Sequence, residues 1–275
     1  MQQTNLNLSF EEIFQALQQK NYVHVPFPYS QADFEAAIQS FFAFLEAPEN
    51  IKTHINLNIA PLHRRGDVGY QSRQASDHLY NDNKEFFHYH PALFEKYPDF
   101  LLENPIVNDF VLKAKPIWDL VYRTIQEIFT LLEPKFPGLS DNVLRTKEPH
   151  LLLRFLKYDW ANSGKHLAKP HFDAGSFTLA IAESSPGLRI GSCPDDLALV
   201  DQTPNHAIFM LASNFQKIMQ TADLKPGWHD VIQLDETLIG KPFARWAIVA
   251  FIEAHGVEAQ PRTVTHQWYK GEEAY

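Results

Sequence analysis

The sequence is short of cysteine, of long apolar runs and of positive charge, and each shortage excludes a class of protein. A single cysteine, Cys193, in 275 residues excludes an intramolecular disulfide and fits a reducing compartment. No run approaches the ~18 consecutive apolar residues of a membrane span, and the beginning MQQTNLNLSFEE lacks an apolar signal region. A net charge of −9 argues against nucleic acid or an anionic membrane surface as a partner. These shortages predict a cytoplasmic protein that acts on small molecules or peptides.

What the chain does contain is a pair of metal-binding side chains in the stretch KPHFDAG, residues 169–175. If this stretch is extended, side chains two residues apart point to the same side, so His171 and Asp173 converge on one point. The same pair is also compatible with two side chains that are hydrogen-bonded in a loop. Alone, the pair predicts half of a metal site.

Later residues complete the pattern. His229 follows in PGWHDV, and Arg245 follows in FARWAIVAF. Two histidines and one carboxylate form a facial triad, which leaves the opposite face of an octahedral ion open for a co-substrate and dioxygen. The order of these residues favours a non-haem iron site.

This order resembles that of the 2-oxoglutarate and Fe(II)-dependent oxygenases, in particular the branch similar to isopenicillin N synthase. Three stretches carry the resemblance: the metal-pair stretch HFDAGSFTLAIAESSPGLRIG (171–191), the upstream NKEFFHYHP (83–91) and the strand-like LLLRFLKYDW (151–160). The resemblance covers most of the chain. It implies a double-stranded β-helix core and an enzyme that oxidises a small-molecule substrate by hydroxylation or desaturation.

The resemblance also implies the site residues. Fe(II) would be held by His171, Asp173 and His229, with 2-oxoglutarate and dioxygen as co-substrates. His206, His166 and His255 compete for the place of the second histidine. The run before the second ligand in the family looks like the run after residue 201 here, so His229 is the position that matches.

Arg245 is the expected anchor of 2-oxoglutarate, because a guanidinium can hold a carboxylate with two charge-assisted hydrogen bonds. The alternative is an ordinary salt bridge to Glu253 or Asp235. The branch usually has Arg-x-Ser here, whereas this chain has Arg245-Trp246-Ala247. The hydroxyl is therefore missing from the expected place.

Two side chains on the LLLRFLKY strand are candidates to replace that hydroxyl. Alternation places Arg154 and Tyr158 on one face of the strand, and the family often has a tyrosine near the co-substrate at the end of this strand. We therefore expect Arg245, Tyr158 and Arg154 to bind the co-substrate together.

The fold expectation is mainly β with flanking helices. Residues 1–145 form a helical and irregular part, and residues 146–275 form a double-stranded β-helix (jelly roll) core, together a single catalytic unit. Ser9 and Glu12 predict a capping box before the first helix. The apolar periodicity from Pro105 predicts a long helix, either kinked at Pro116 or divided there.

Residues 51–103 lack clear periodicity and are expected to be irregular, like a rim over the active site. Tyr70, Phe87 and His88 are candidates there for substrate contact, with a surface loop of packed aromatic residues as the alternative. Two other functions also fit the sequence. One is an oxidase of the same fold that does not use 2-oxoglutarate, and the other is a β-helix binding module without chemistry.

Overall fold

The structure of the protein, a computed structural model, describes five stretches of the chain: 6–59, 67–74, 83–145, 149–160 and 165–257. The α-helices of these stretches are α1 (Phe10–Lys20), α2 (Gln31–Leu45), α3 (Glu49–Lys52), α4 (Leu93–Lys96), α5 (Pro98–Glu103), α6 (Pro105–Leu132), α7 (Leu139–Leu144) and α8 (Gln216–Met219). The strands are β1 (Tyr22–Pro26), β2 (Leu57–Asn58), β3 (Asp67–Arg73), β4 (Lys84–Tyr89), β5 (Leu151–Tyr158), β6 (His166–His171), β7 (Phe177–Glu183), β8 (Leu188–Gly191), β9 (Ala198–Leu199), β10 (His206–Leu211), β11 (Trp228–Ile232) and β12 (Arg245–Ile252).

The helices cover one face of the larger sheet. The predicted capping box begins α1: the Ser9 hydroxyl accepts from the Glu12 amide at 3.2 Å, and the Glu12 carboxylate accepts from the Ser9 amide at 2.7 Å. Helix α6 is 28 residues long and runs through Pro116, so the alternative of two helices divided there is wrong. Its buried side, which includes Phe110 and Ile125, packs into the main apolar core with the larger sheet. The larger sheet therefore packs one of its faces, its outer face, against the helices.

The strands form two antiparallel sheets, which confirms the predicted jelly-roll architecture. The larger sheet has the order β1-β10-β7-β12-β5-β4-β3-β2, and the smaller has the order β6-β11-β8-β9. A second apolar cluster joins their inner faces, with Leu156 and Met210 from the larger sheet and Leu167 and Ile190 from the smaller. The space between the two sheets is where the predicted site residues should meet.

The expectation of an irregular segment over residues 51–103 was wrong for part of that range. Strands β3 and β4 pair with each other, and β4 pairs along its length with β5. The period-2 signal of β4 is weak because five of its six residues are buried, on both faces of the sheet. The sheet therefore continues into the N-terminal half of the chain, where β1 also pairs with β10.

Among the described residues, no helix has both the length and the apolar character needed to cross a membrane.

Candidate metal centre and adjoining cavity

Two neighbouring strands of the smaller sheet bring the two histidines together. His171 ends β6 and His229 lies near the start of β11, and the two residues are register partners in the antiparallel pair. Their ring centroids are 4.4 Å apart. Asp173 follows two residues after His171, and one ligand atom from each of the three residues lies within 4.8 Å of the others. The structure thus brings the predicted triad together.

Hydrogen bonds orient both imidazole rings. Nδ1 of His171 lies 2.6 Å from the Lys169 carbonyl oxygen, and Nδ1 of His229 lies 3.0 Å from the Gly227 carbonyl oxygen. Because a carbonyl only accepts, each Nδ1 carries the proton and each Nε2 presents a lone pair. Both Nε2 atoms lie 3.6 Å from oxygens of the Asp173 carboxylate. Three donor atoms therefore face one point.

The carboxylate is also fixed. Thr178 on β7 donates its hydroxyl hydrogen to Asp173 Oδ2 at 2.8 Å, and Asp173 is only 4% exposed. Burial lowers the pKa of His229, although the Asp173 carboxylate acts in the opposite direction. His229 is therefore held in the neutral form that coordinates a metal ion. The donor set of two imidazoles and one carboxylate fits Fe(II) with one face left open.

The competing histidines lie elsewhere. His206 begins β10 and its Nδ1 atom lies 2.9 Å from the Pro204 carbonyl oxygen. His255 packs against His150 with the two rings tilted and their centroids 4.3 Å apart. His166 lies with its Nε2 atom 3.2 Å from Asp230 Oδ2. None of the three belongs to the cluster of metal-ligand side chains, so His229 is the partner of the His171 and Asp173 pair.

A cavity of about 410 Å³ opens beside the triad, between the two sheets. The predicted residues Arg154, Tyr158, Arg245 and Ala247 all line it. Lys84, which the sequence did not single out, lines it as well. The cavity therefore joins the metal ligands to a cationic wall.

Three cavity residues form a row across the larger sheet. Tyr158 on β5 is the register partner of Lys84 on β4 and of Arg245 on β12. The Lys84 ammonium lies 5.5 Å from the centre of the Tyr158 ring. Register partners on one face lie side by side. The row presents two cationic groups and a phenol to one end of the cavity.

Arg245, one member of this row, already has a hydrogen-bond partner and a salt-bridge partner outside the row. Its side chain is almost fully buried, Nε donates to the Ser185 carbonyl oxygen at 3.1 Å, and Nη2 is paired with the Glu183 carboxylate. Burial lowers the pKa of Arg245 to about 10, so the guanidinium stays charged at neutral pH. The salt bridge that the sequence suggested to Glu253 or Asp235 is wrong, because Asp235 accepts from Thr237 and Glu253 accepts from Asn214.

Sequence reasoning missed Glu183. Register pairs place Thr178 opposite Phe251 and Ala180 opposite Val249, but the register then shifts and places Glu183 opposite Ala247. A bulge of this kind inserts one residue and reverses the alternation beyond it. Strict alternation from Thr178 would have turned Glu183 away from the cavity. No signal in the sequence marks the bulge.

Arg154 lines the cavity in a fixed position. Its guanidinium lies between two aromatic rings, 4.5 Å from the centroid of Phe86 and 4.5 Å from that of Phe251. Nε donates to His88 Nε2 at 2.8 Å, and His88 Nδ1 lies 2.8 Å from the Asp67 carbonyl oxygen. His88, expected as a substrate contact, does not line the cavity. It instead accepts the hydrogen bond that holds the Arg154 guanidinium in place.

The structure places Tyr70 and Phe87 elsewhere than expected. They are register partners on β3 and β4, and Phe87 packs edge to face on Phe110 in the apolar core under the helices. Tyr70 donates its hydroxyl hydrogen to Glu85 at 2.8 Å, and burial raises the pKa of Tyr70. Because alternate strand residues face opposite sides, Phe87 points away from the face that carries Lys84. Neither aromatic side chain lines the cavity.

No protein-family model matches the sequence, and no curated protein matches it significantly. Solved structures do match. A full-length Neurospora crassa protein, crystallised in complex with alpha-KG and 5-formyluracil, has a TM-score of 0.68 at 18% identity over 96% of this chain and 83% of that one. AtDAO1, the dioxygenase for auxin oxidation 1 from Arabidopsis thaliana, in complex with 2-oxoglutarate, has a TM-score of 0.61 at 16% identity over 97% and 94%. The dioxygenase for auxin oxidation in rice has a TM-score of 0.60 at 18% identity over 96% and 83%. These likenesses establish the fold alone, which this chain shares with two structures that were solved with alpha-KG or 2-oxoglutarate bound.

Proposed function

We propose that the chain is a non-haem Fe(II) dioxygenase that uses 2-oxoglutarate to hydroxylate or desaturate a small-molecule substrate. The observation that carries the proposal is the convergence of His171 and His229 on Asp173, with both Nε2 atoms 3.6 Å from the carboxylate. The shared fold supports it, since the Neurospora crassa protein and AtDAO1 were solved with alpha-KG and 2-oxoglutarate. We also propose that the chain belongs to the isopenicillin N synthase-like branch, and the three resembling stretches support this.

When bound, Fe(II) with 2-oxoglutarate and dioxygen supplies the oxidant for an unactivated C–H bond. The protein's residues prepare the place for it. The carbonyl oxygens of Lys169 and Gly227 fix the tautomer of both histidines, and Thr178 holds one oxygen of Asp173. A preorganised ligand set does not have to reorient when the metal binds.

The row of Lys84, Tyr158 and Arg245 is the proposed place for the far carboxylate of 2-oxoglutarate. It lies at one end of the same cavity as the triad, and it combines two cations with a phenol donor. Charge-assisted hydrogen bonds from such groups are about twice as strong as neutral ones. The Tyr158 hydroxyl is the proposed substitute for the hydroxyl that Ala247 lacks.

One observation favours a second candidate, an oxidase of the same fold that does not use 2-oxoglutarate. Arg245 is paired with Glu183 and Ser185, and Ala247 provides no hydroxyl beside it. If Glu183 keeps this place permanently, the arginine has one carboxylate already and gives little affinity to a second.

Succinate release separates the two candidates. Purified protein is loaded with Fe(II) under anaerobic conditions, given 2-oxoglutarate and air, and assayed for succinate without prime substrate. Release that is lost in Asp173→Ala and kept in His206→Ala supports the dioxygenase. Iron-dependent oxygen uptake without succinate and without 2-oxoglutarate binding supports the oxidase. Absence of both activities, with no binding of Fe(II), contradicts both candidates.

A further inference from the structure

We infer that Arg154 binds a carboxylate of the prime substrate, which makes that substrate a small organic acid. This inference rests on the proposed function, because it assigns Arg154 to the substrate and leaves the co-substrate to the row of Lys84, Tyr158 and Arg245. It therefore replaces the expectation from the sequence that Arg154 binds 2-oxoglutarate. Four features support the inference: how the Arg154 guanidinium is held, where it lies along the cavity, the charge of the cavity wall, and the size and polarity of the cavity.

The first argument is that the Arg154 guanidinium is already held in one orientation. Two ring faces, those of Phe86 and Phe251, lie 4.5 Å from it, and His88 fixes its Nε atom at 2.8 Å. His88 must be neutral at Nε2 to accept this hydrogen bond, so its Nδ1 atom donates to the Asp67 carbonyl oxygen. A guanidinium held in this way loses little entropy when it binds a planar carboxylate with its fork.

The second argument is position along the cavity. Arg154 precedes Tyr158 by four residues on β5, a separation of roughly 13 Å along a strand. Phe251, which stacks on Arg154, is the register partner of Thr178, and Thr178 donates to the metal ligand Asp173. Arg154 therefore lies at the level of the metal, whereas the row that holds the far carboxylate of the co-substrate lies toward the other end of β5.

The third argument is charge. The described part of the cavity wall carries three cationic side chains, Lys84, Arg154 and Arg245, and two carboxylates, Asp173 and Glu183. Asp173 is a proposed metal ligand and Glu183 is paired with Arg245. Among the described lining residues, positive side chains therefore outnumber negative ones even before a divalent cation binds. A second organic anion beside 2-oxoglutarate complements this excess.

The fourth argument is size and polarity. The cavity of about 410 Å³ must hold both molecules, so the substrate is small. The cavity wall also includes the apolar side chains of Leu156, Ile208 and Met210. This arrangement fits a monocarboxylic acid with a short apolar or aromatic body.

Matched acids and amides test the inference. Protein loaded with Mn(II) in place of iron is saturated with 2-oxoglutarate and titrated by calorimetry with benzoate and benzamide, phenylacetate and phenylacetamide, and hexanoate and hexanamide. At least one acid should bind tenfold or more tightly than its amide. Arg154→Gln should remove this preference and change the Kd of 2-oxoglutarate less than twofold. Arg154→Lys, which keeps the charge without the fork, should restore part of the preference.

Lys157→Gln is the matched control, because it removes one positive charge from the same strand on the face turned away from the cavity, where Lys157 pairs with Glu85 and Asp159. It should keep the acid preference. Equal binding of acids and amides by the wild type overturns the inference. A tenfold loss of 2-oxoglutarate affinity in Arg154→Gln also overturns it, because Arg154 would then serve the co-substrate.

A repeat of the titrations without 2-oxoglutarate distinguishes failure of the substrate inference from failure of the proposed function. If the protein does not bind 2-oxoglutarate at all, yet prefers acids through Arg154, the dioxygenase proposal fails and the substrate inference stands. Should Arg154→Gln not fold, as judged by its thermal unfolding, His88→Asn provides the second variant. It leaves Arg154 in place without its fixed partner and should reduce the acid preference several-fold.

Discussion

Arg245 and Glu183 form an ion pair inside the cavity, beside Ala247 in the strand register. The carboxylate also accepts from Gln202 Nε2 at 2.5 Å, so two groups hold it. A 2-oxoglutarate carboxylate that approached Arg245 would meet a guanidinium that already has an anionic partner. Glu183 therefore competes with the co-substrate for the same cation.

The first prediction is that Glu183→Gln tightens 2-oxoglutarate binding. Removing the competing charge leaves the Arg245 guanidinium available to the co-substrate, and a hydrogen bond to a charged group contributes ~1.5–3 kcal/mol, or about tenfold or more in affinity. Calorimetric titration of Mn(II)-loaded protein measures it. Glu85→Gln is the control, because Glu85 pairs with Lys52 and Lys157 outside the cavity wall. Weaker binding in Glu183→Gln would instead show that Glu183 positions Arg245 for the co-substrate.

The second prediction is that Arg245→Lys weakens 2-oxoglutarate at least ~10-fold and leaves Mn(II) affinity unchanged. Lysine keeps the charge but lacks the planar fork, and the loss of one charge-assisted hydrogen bond is of this size. The same calorimetric titration measures both constants. Equal 2-oxoglutarate affinity in the variant and the wild type would assign the anchoring role to Lys84, and absence of 2-oxoglutarate binding in both would favour the oxidase.

The third prediction concerns Ala247, which lines the cavity two residues after Arg245 on the same face of β12. Ala247→Ser should tighten 2-oxoglutarate binding, because the new hydroxyl donates to the carboxylate beside the row. Tyr158→Phe should weaken binding by less than Arg245→Lys does, since a phenol is a neutral donor. In the Ala247→Ser protein, Tyr158→Phe should then cost less than in the wild type. Additive effects of the two changes would mean that the two hydroxyls do not donate to the same carboxylate oxygen.

The difference between the predicted and missed residues has a physical cause. His171 and Asp173 could be predicted because a separation of two residues in an extended segment brings both side chains to one side. His229 was chosen over the other histidines through the resemblance to the oxygenase family, because local pattern alone does not distinguish it from His206, which also begins an apolar segment. Lys84 was missed because β4 is buried on both faces and shows no alternation. The position of Phe87 was wrong for the same reason, since the recognition of β4 as a strand would have placed it opposite to Lys84.

Glu183 and His88 illustrate two other limits. The bulge in β7 that turns Glu183 into the cavity depends on pairing with β12, and pairing is a property of the folded sheet. The role of His88 depends on Arg154, which lies 66 residues later and reaches it only because β4 and β5 are neighbours. Hydrogen bonds between strands far apart in sequence do not appear in local patterns.

The fourth prediction is that His171→Ala and Asp173→Ala abolish Mn(II) binding while the fold survives. His171 is half-buried and ends β6, and Asp173 lies two residues beyond the strand, so truncation of either side chain removes little apolar packing. Anaerobic calorimetry with Mn(II) and thermal unfolding of the apo proteins measure the two effects. His206→Ala is the control and should bind one ion like the wild type. In a crystal with the ion, His229 Nε2 should lie ~2.1 Å from it; a distance of this size to His206 instead would contradict the proposed ligand set.

The fifth prediction concerns His90, which is only 1% exposed and is not one of the proposed metal ligands. Its Nδ1 atom accepts from the Ala92 amide at 3.2 Å, and its Nε2 atom lies 3.1 Å from the Pro149 carbonyl oxygen, a pattern that only the neutral ring satisfies. Burial lowers the pKa of His90 to about 4, despite the opposing effect of the Pro149 carbonyl.

The sign of the pH effect follows from the two states of His90. Between pH ~6.5, the ordinary histidine pKa, and about 4, the unfolded chain binds a proton at this residue and the folded chain does not. The free energy of unfolding therefore falls as the pH falls, with His90 contributing about 2 kcal/mol of loss between pH 7 and pH 5. His90→Gln keeps one donor and one acceptor but does not titrate, so its loss over this interval should be smaller by about that amount. Urea unfolding at pH 7, 6 and 5 measures how the free energy of unfolding depends on pH in the wild type and in His90→Gln. An equal dependence in the two proteins would show that the His90 ring can be protonated in the folded protein without cost.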